Sequence, residues 1–140
     1  MTTLVYMIKQ AEGLRLQSYM DVDGVLTIGY GHTGEDVYLG QTIDEGTADA
    51  MLLADIAMAR SQVLELCPAL TGNQLDAITD FLFNEGYARL AGSTLRKLIL
   101  QNDYAGVPAE LAKWEYGGGK VLQGLVTRRQ AEIDLWNLPS

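Results

Sequence analysis

Three side chains near the start of the 140-residue chain have types and a spacing that suit acid–base hydrolysis. Eight residues separate Glu12 from Asp21, and five separate Asp21 from Thr27. Glu12 falls where a short helix should end, and a helix C-terminus presents partial negative charge that favours a protonated carboxyl. A protonated carboxyl can serve as a general acid. Asp21 falls on the polar shoulder of a hairpin beside Asp23, where a solvated carboxylate suits a base or nucleophile. Two carboxyl groups whose surroundings drive them to opposite protonation states are the pattern used to cleave glycosidic bonds. Taken singly, each residue also has an ordinary reading: a surface charge, a turn former and a strand-favouring threonine.

The elements that must position them can be read from the same stretch. Thr2 or Thr3 can cap a helix over residues 3–12 with Leu4, Ile8 and Ala11 on one face, and Gly13 follows as its stop. Leu16–Asp21 and Val25–His32 are rich in β-branched and aromatic residues around an Asp23-Gly24 turn, a hairpin signal. The turn decides Thr27. With a two-residue loop, Asp21 faces Leu26 and Thr27 points to the other side. With the three-residue loop Val22-Asp23-Gly24 and Gly24 left-handed, Asp21 pairs with Val25 and lies diagonal to Thr27. The three-residue loop is the expectation, because it lets the hydroxyl share a water with Asp21.

Beyond the hairpin the chain reads as helical. Thr42-Ile43-Asp44-Glu45 and Thr71-Gly72-Asn73-Gln74 both fit a capping box. The first predicts a helix from about Ile43 to Leu66, with Leu52, Ile56, Ala59 and Val63 on one side and Met51, Asp55, Met58 and Gln62 on the other, closed by Cys67-Pro68. The second predicts Gly72–Glu85, burying Leu75, Ile78, Phe81 and Leu82. Further helices are expected over Ser93–Leu100, Pro108–Lys113 and Leu122–Asn137. In the last of these, Arg129 interrupts the apolar stripe of Leu122, Val126, Ile133 and Trp136. It needs a carboxylate or backbone carbonyls, unless it snorkels to the surface along its stem. His32 is the sole histidine and is expected to brace Asp55 across the start of the long helix. The Gly29 and Gly31 alternation beside it is weak evidence for a phosphate loop.

Composition narrows the partners. The chain is 48% hydrophobic and 20% charged, enough for one compact core, and its net charge is −8. It lacks the basic surplus that binding to nucleic acid or an anionic membrane requires. Residues 1–66 carry three basic and ten acidic side chains and residues 67–140 seven and eight, suggesting two lobes with different surfaces. One cysteine excludes an internal disulfide, and one cysteine with one histidine cannot complete a structural zinc site. Cys67 is expected to be a small buried apolar residue. No run approaches a membrane span and no signal segment is evident, so cytoplasmic synthesis without a membrane anchor is expected.

The stretch E-G-L-R-L-x-x-Y-x-D-x-x-G-x-x-T-I-G-Y-G-H-T, from Glu12 to Thr33, resembles the signature of phage-type lysozymes, the endolysins. The likeness continues through Leu53-Ala54-Asp55, Gln74-Leu75-Asp76-Ala77, Phe83-Asn84-Glu85-Gly86, Ser93-Thr94-Leu95, Trp114 and Gly124–Arg129 to Leu135-Trp136. The resemblance implies an α+β, mostly helical, lysozyme-like two-lobe fold forming one domain over residues 1–140. A small antiparallel sheet lobe (about 13–42) is joined by a linking helix (about 43–66) to a helical lobe (about 67–140, with the N-terminal helix at about 3–12). It implies hydrolysis of the β-1,4 bond between N-acetylmuramic acid and N-acetylglucosamine in peptidoglycan. In these roles Glu12 is the proton donor, Asp21 the second carboxylate and Thr27 its partner around the water. Inversion is the usual family outcome and asks for ~6.5–9.5 Å between the carboxyl groups.

By the same resemblance Thr33, Phe83 and Thr94 line the glycan site, and Arg128 or Arg129 approaches Glu12, where a cation would oppose protonation. No metal or organic cofactor is implied, and a monomer is expected. Release to the wall from the host cytoplasm is expected to depend on a holin-type pore protein. The alternative of another class is a relative without turnover that binds cell-wall glycan or regulates lysis; intact Glu12 and Asp21 argue against it.

Overall fold

A computed structural model describes residues 2–140. The chain divides after Ala57, inside its longest helix, into two compact units. The first begins with α1 (Thr3–Glu12), capped by the Thr2 hydroxyl, which accepts from Val5 N, and ended by Gly13 at φ +72°. Ten residues are too few for a stable isolated helix. Burial of Leu4 and Ile8, both 0% exposed, supplies roughly 1.5–3 kcal/mol each.

Two strands follow, β1 (Arg15–Met20) and β2 (Leu26–Gly29), paired antiparallel. The pairing is Tyr19↔Thr27 near the turn but Arg15↔Gly29 at the far end, so β1 carries extra residues between. These turn outward to a third segment. Ser18 N donates to Gln41 O and Ile43 N to Leu16 O, each at 2.9 Å, and Gln17 bridges Thr42. Because Thr42 is held in that bridge, it does not cap the long helix as its capping box predicted. α2 (Glu45–Leu66) starts later, and Asp44 caps it by accepting from Thr47 N at 2.7 Å. That N–H holds the Asp44 carboxyl below its ordinary pKa. Along α2 the expected apolar face is the buried one: Leu52, Ile56, Ala59 and Val63 are at most 4% exposed, while Met58 is exposed.

The second unit contains α3 (Gly72–Glu85), α4 (Tyr87–Ala91), α5 (Thr94–Leu100), a 3-10 turn (Tyr104–Gly106) and α6 (Val107–Leu111). Strands β3 (Tyr116–Gly117) and β4 (Lys120–Val121) and then α7 (Gln123–Asn137) complete it. α3 keeps its expected bounds, but the Thr71 hydroxyl makes no cap bond. Ser140 does that work instead, its hydroxyl accepting from Asn73 N at 2.7 Å. The α4 turn and the β3–β4 hairpin have no counterpart in the sequence reading. The hairpin closes on Gly118 and Gly119, both at positive φ, a two-residue turn that glycine accommodates.

α3 and α7 form the most extensive helix pairing of this unit, and charge lies at its centre. Arg129 is 0% exposed, which overturns the snorkelling alternative. Its guanidinium donates to Glu85 (2.9 Å), Asn84 (2.6 Å) and Glu132 (3.0 Å). Arg128 clasps Asp80 with two nitrogens at 3.0 and 3.1 Å. Burial and then a hydrogen bond to Asp80 raise the pKa of Glu132 well above the ordinary carboxyl value. Burial opposes ionisation of Asp80, but its bond with Glu132 and the charge of Arg128 outweigh it and lower its pKa. Of this pair, Glu132 is therefore the member that favours the proton and Asp80 the one that favours the charge. Cys67 is fully buried, and burial pushes its thiol pKa up.

Candidate active site

Glu12, Asp21, Thr27 and Thr33 all belong to the first unit. Glu12 is the last residue of α1 and is half-buried. The end of that helix is fixed by Lys9, whose ammonium lies 2.8 Å from Asp49 of α2 and 5.0 Å from the centre of the Tyr30 ring. After β2 the chain doubles back through Gly29-Tyr30-Gly31. Ile28 and His32 exchange backbone hydrogen bonds of 2.9 and 2.8 Å across the turn. The turn lies directly on Glu12: a Cβ added at Gly31 would stand 2.5 Å from Glu12 Oε1 and 3.0 Å from its carboxyl carbon. With φ at +77° as well, Gly31 is fixed by both backbone conformation and space.

The β1–β2 loop is the three-residue form. Asp21 N donates to Val25 O and Gly24 N to Asp21 O, each at 3.0 Å, with Gly24 at φ +78°. Asp21 therefore stands opposite Val25, diagonal to Thr27, and the two share a face of the hairpin. Asp21 Oδ1 accepts from Asp23 N and Val25 N, both at 2.9 Å. These bonds orient the carboxylate and engage one of its oxygens. Thr27 is 4% exposed, and its hydroxyl donates to Val25 O at 3.0 Å. A hydroxyl has one proton, so that bond leaves the Thr27 oxygen as an acceptor.

Next to the turn, His32 Nδ1 lies 2.7 Å from Asp55 Oδ2, the expected brace. The sequence reading missed a second partner, Asp36, whose carboxyl oxygens are both 2.9 Å from Nε2. The i,i+4 spacing of His32 and Asp36 was the available signal. Burial works against charge on the ring, but the hydrogen bonds to Asp55 and Asp36 outweigh it and raise the pKa above that of an ordinary histidine.

Thr33 follows as an exposed residue. Phe83 and Thr94 belong to the second unit. Phe83 is partly buried on α3 with the Arg128 guanidinium 6.0 Å from its ring centre. Thr94 is exposed and borders a hollow of about 350 Å³ with Glu110, Lys113 and Trp114. The Trp114 ring meets Phe81 edge to face at 5.2 Å. Among the described residues, no cluster of three His, Cys, Asp or Glu side chains is placed to hold a metal ion. None of the described helices is long and apolar enough to cross a membrane.

A hairpin of this kind followed by helices is shared with known muramidases. The muramidase domain of SpmX from Asticaccaulis excentricus superposes with a TM-score of 0.90 at 31% identity, covering 99% of this chain and 97% of that one. An endolysin from Escherichia coli O157:H7 phage FAHEc1 gives 0.83 at 30% identity, covering 96% and 90%. The fold is therefore lysozyme-like, α+β and mostly helical. In sequence, an endolysin of Acyrthosiphon pisum secondary endosymbiont phage 1 is 40% identical over 135 residues, 93% of this chain and 92% of that protein. A SAR-endolysin of bacteriophage PS119 is 38% identical over 128 residues, 89% and 77% of the two. The phage lysozyme family model matches residues 9–132, and the chain belongs to that family. Its activity is accordingly muramidase-type hydrolysis of bacterial cell wall, the work of a glycoside hydrolase.

Proposed function

We propose that the chain hydrolyses the β-1,4 bond between N-acetylmuramic acid and N-acetylglucosamine, with Glu12 as general acid and Asp21 with Thr27 handling the water. The observation that carries this reading is the hydrogen bonding on the hairpin. Asp21 Oδ1 is occupied by two backbone N–H groups, so Oδ2 is the oxygen left to take a proton. Thr27 gives its own proton to Val25 O and can only accept. A water that donates one hydrogen to each has its lone pair free for the anomeric carbon. As the water oxygen bonds to that carbon, the glycosidic C–O bond breaks, Glu12 protonates the departing oxygen, and Asp21 takes the water's proton. Such positioned acids and bases contribute roughly 10²–10⁴-fold each. Acid, base and water suffice, so no cofactor enters the scheme.

In this reading Thr33, Phe83 and Thr94 contact the glycan, and residues 1–140 act as one monomeric lysozyme-like domain. The protein waits in the host cytoplasm and reaches the wall through a holin-type pore. The test is release of reducing ends from purified peptidoglycan by the wild type, Glu12→Gln and Asp21→Asn. Loss of at least a hundredfold in both variants, with unchanged circular dichroism, is expected. A folded Glu12→Gln that keeps its turnover would show that another group donates the proton. Saturable glycan binding without turnover in the wild type would favour a binding protein.

A further inference from the structure

We propose that the imidazolium of His32, clamped between Asp36 and Asp55, is a positioning residue for Glu12, holding the Gly31 turn against that carboxyl. The proposal rests on Glu12 being the proton donor. Its basis is geometric. Nδ1 meets Asp55 at 2.7 Å, and Nε2 meets both oxygens of Asp36 at 2.9 Å. An ionised carboxylate only accepts, so both ring nitrogens must donate, and only the protonated ring has two N–H groups. When the proton leaves, one nitrogen turns a lone pair on a carboxylate and one link breaks. The link to Asp36 is the weaker candidate to survive, since that side chain is 60% exposed against 28% for Asp55.

The ring is coupled to Glu12 through one residue. The backbone bonds between Ile28 and His32 close the turn that carries Gly31, and Gly31 has no room for even a methyl group above Glu12. Ile28 is fully buried on one side of the turn, so the His32 side can be loosened. Among the described residues, the ring is hydrogen-bonded to Asp55 from α2 and Asp36 from its own loop, and Glu12 of α1 lies against the preceding Gly31. The Lys9–Asp49 pair lies beyond Tyr30. A catalytic group moved by about 1 Å can lose on the order of a hundredfold in rate, so a turn that slackens without unfolding is enough to matter.

The experiment measures kcat and KM for reducing-end release from peptidoglycan between pH 5 and 9. It is run alongside an NMR titration of the His32 ring, for the wild type, Asp36→Asn, His32→Gln, the double variant and Glu12→Gln. Asp36→Asn, at an exposed position, is expected to fold. It should move the alkaline fall of kcat and the ring's midpoint to lower pH together, with KM within twofold. His32→Gln should lower kcat about tenfold at pH 6 and abolish the response to Asp36→Asn, because Asp36 acts through the ring. If Asp36→Asn shifts the profile equally in the His32→Gln background, Asp36 acts on Glu12 directly and the proposal is overturned. It is overturned as well if the variants lose only thermal stability while kcat and its pH profile stay put. An active Glu12→Gln would remove the underlying reading, whereas an inactive one beside an unmoved Asp36→Asn profile would reject the positioning role alone.

Discussion

Gly31→Ala should separate chemistry from folding more sharply than truncation of any catalytic candidate. The new methyl would stand 2.5 Å from Glu12 Oε1, about 1 Å inside ordinary contact at roughly 3.5 Å. Relief of that overlap displaces the Glu12 carboxyl by about that distance, for which the expected loss is on the order of a hundredfold in kcat, or about 2.7 kcal/mol of activation free energy. The alanine also adopts φ +77°, which costs about 1–2 kcal/mol of stability in any left-handed residue. Gly40→Ala isolates that second effect. Gly40 has φ +81° and nothing within 4 Å of an added Cβ, so it should lose the same stability and keep kcat within about twofold. Reducing-end release and urea midpoints at 25 °C measure both quantities. If Gly31→Ala and Gly40→Ala lose equal stability and both keep wild-type kcat while Glu12→Gln is inactive, contact with Gly31 does not fix the acid.

Two other expectations concern charge. The raised pKa of Glu132 means its contribution to stability is complete below about pH 4.5 and is lost as pH rises through the folded value; Asp80, with a lowered pKa, contributes in the opposite direction, losing its share as pH falls through its own folded value. Glu132→Gln keeps a hydrogen-bond donor for Asp80 without needing the proton, so its urea midpoint should gain on the wild type from pH 5 to 8, at up to ~1.4 kcal/mol per pH unit; parallel midpoints would refute the proton on Glu132. Finally, repulsion between an anionic wall and a chain of net charge −8 reaches about 30 Å at 0.01 M salt but about 8 Å at 0.15 M. Lysis of whole cells should therefore improve from low to moderate salt, and a monotonic decline in turbidity-clearing rate would reject the repulsion.

What was legible in the sequence was local or periodic. α1, α3 and the apolar face of α2 follow from spacing and end signals. The Asp21–Thr27 geometry followed once the loop length was chosen, because strand periodicity leaves only two options. Arg129 was legible as a need: a guanidinium in an apolar stripe requires carboxylates. That Glu85 and Asn84 of α3 would supply them alongside Glu132 depended on a helix pairing no local pattern encodes. The failures at Thr42 and Thr71 share a cause. Each lies in a good capping box, but tertiary contacts claimed the position first, Gln17 bridging Thr42 and Ser140 supplying the bond to Asn73. The contact of Gly31 with Glu12 was not legible, since that neighbour lies nineteen positions earlier.

The acidity of the first half of the chain also has a local origin. Asp44 is there to cap α2, Asp49 to hold Lys9, and Asp36 and Asp55 to share a single imidazolium. Glu45 sits in the first turn of α2, where negative charge is favoured. Glu12 and Asp21 are the candidates for chemistry. Seven of the ten acidic side chains in residues 1–66 thus have a local role, while only three basic residues oppose them. One of those three, Arg60, is committed to Asp76 at 2.9 Å. A surface tuned for attraction to an anionic wall would need more cations here, and the geometry around Glu12 uses its carboxylates to fix backbone turns instead. Relief of wall repulsion is therefore best sought at Glu35, an exposed acidic residue whose neutralisation should leave the turns intact.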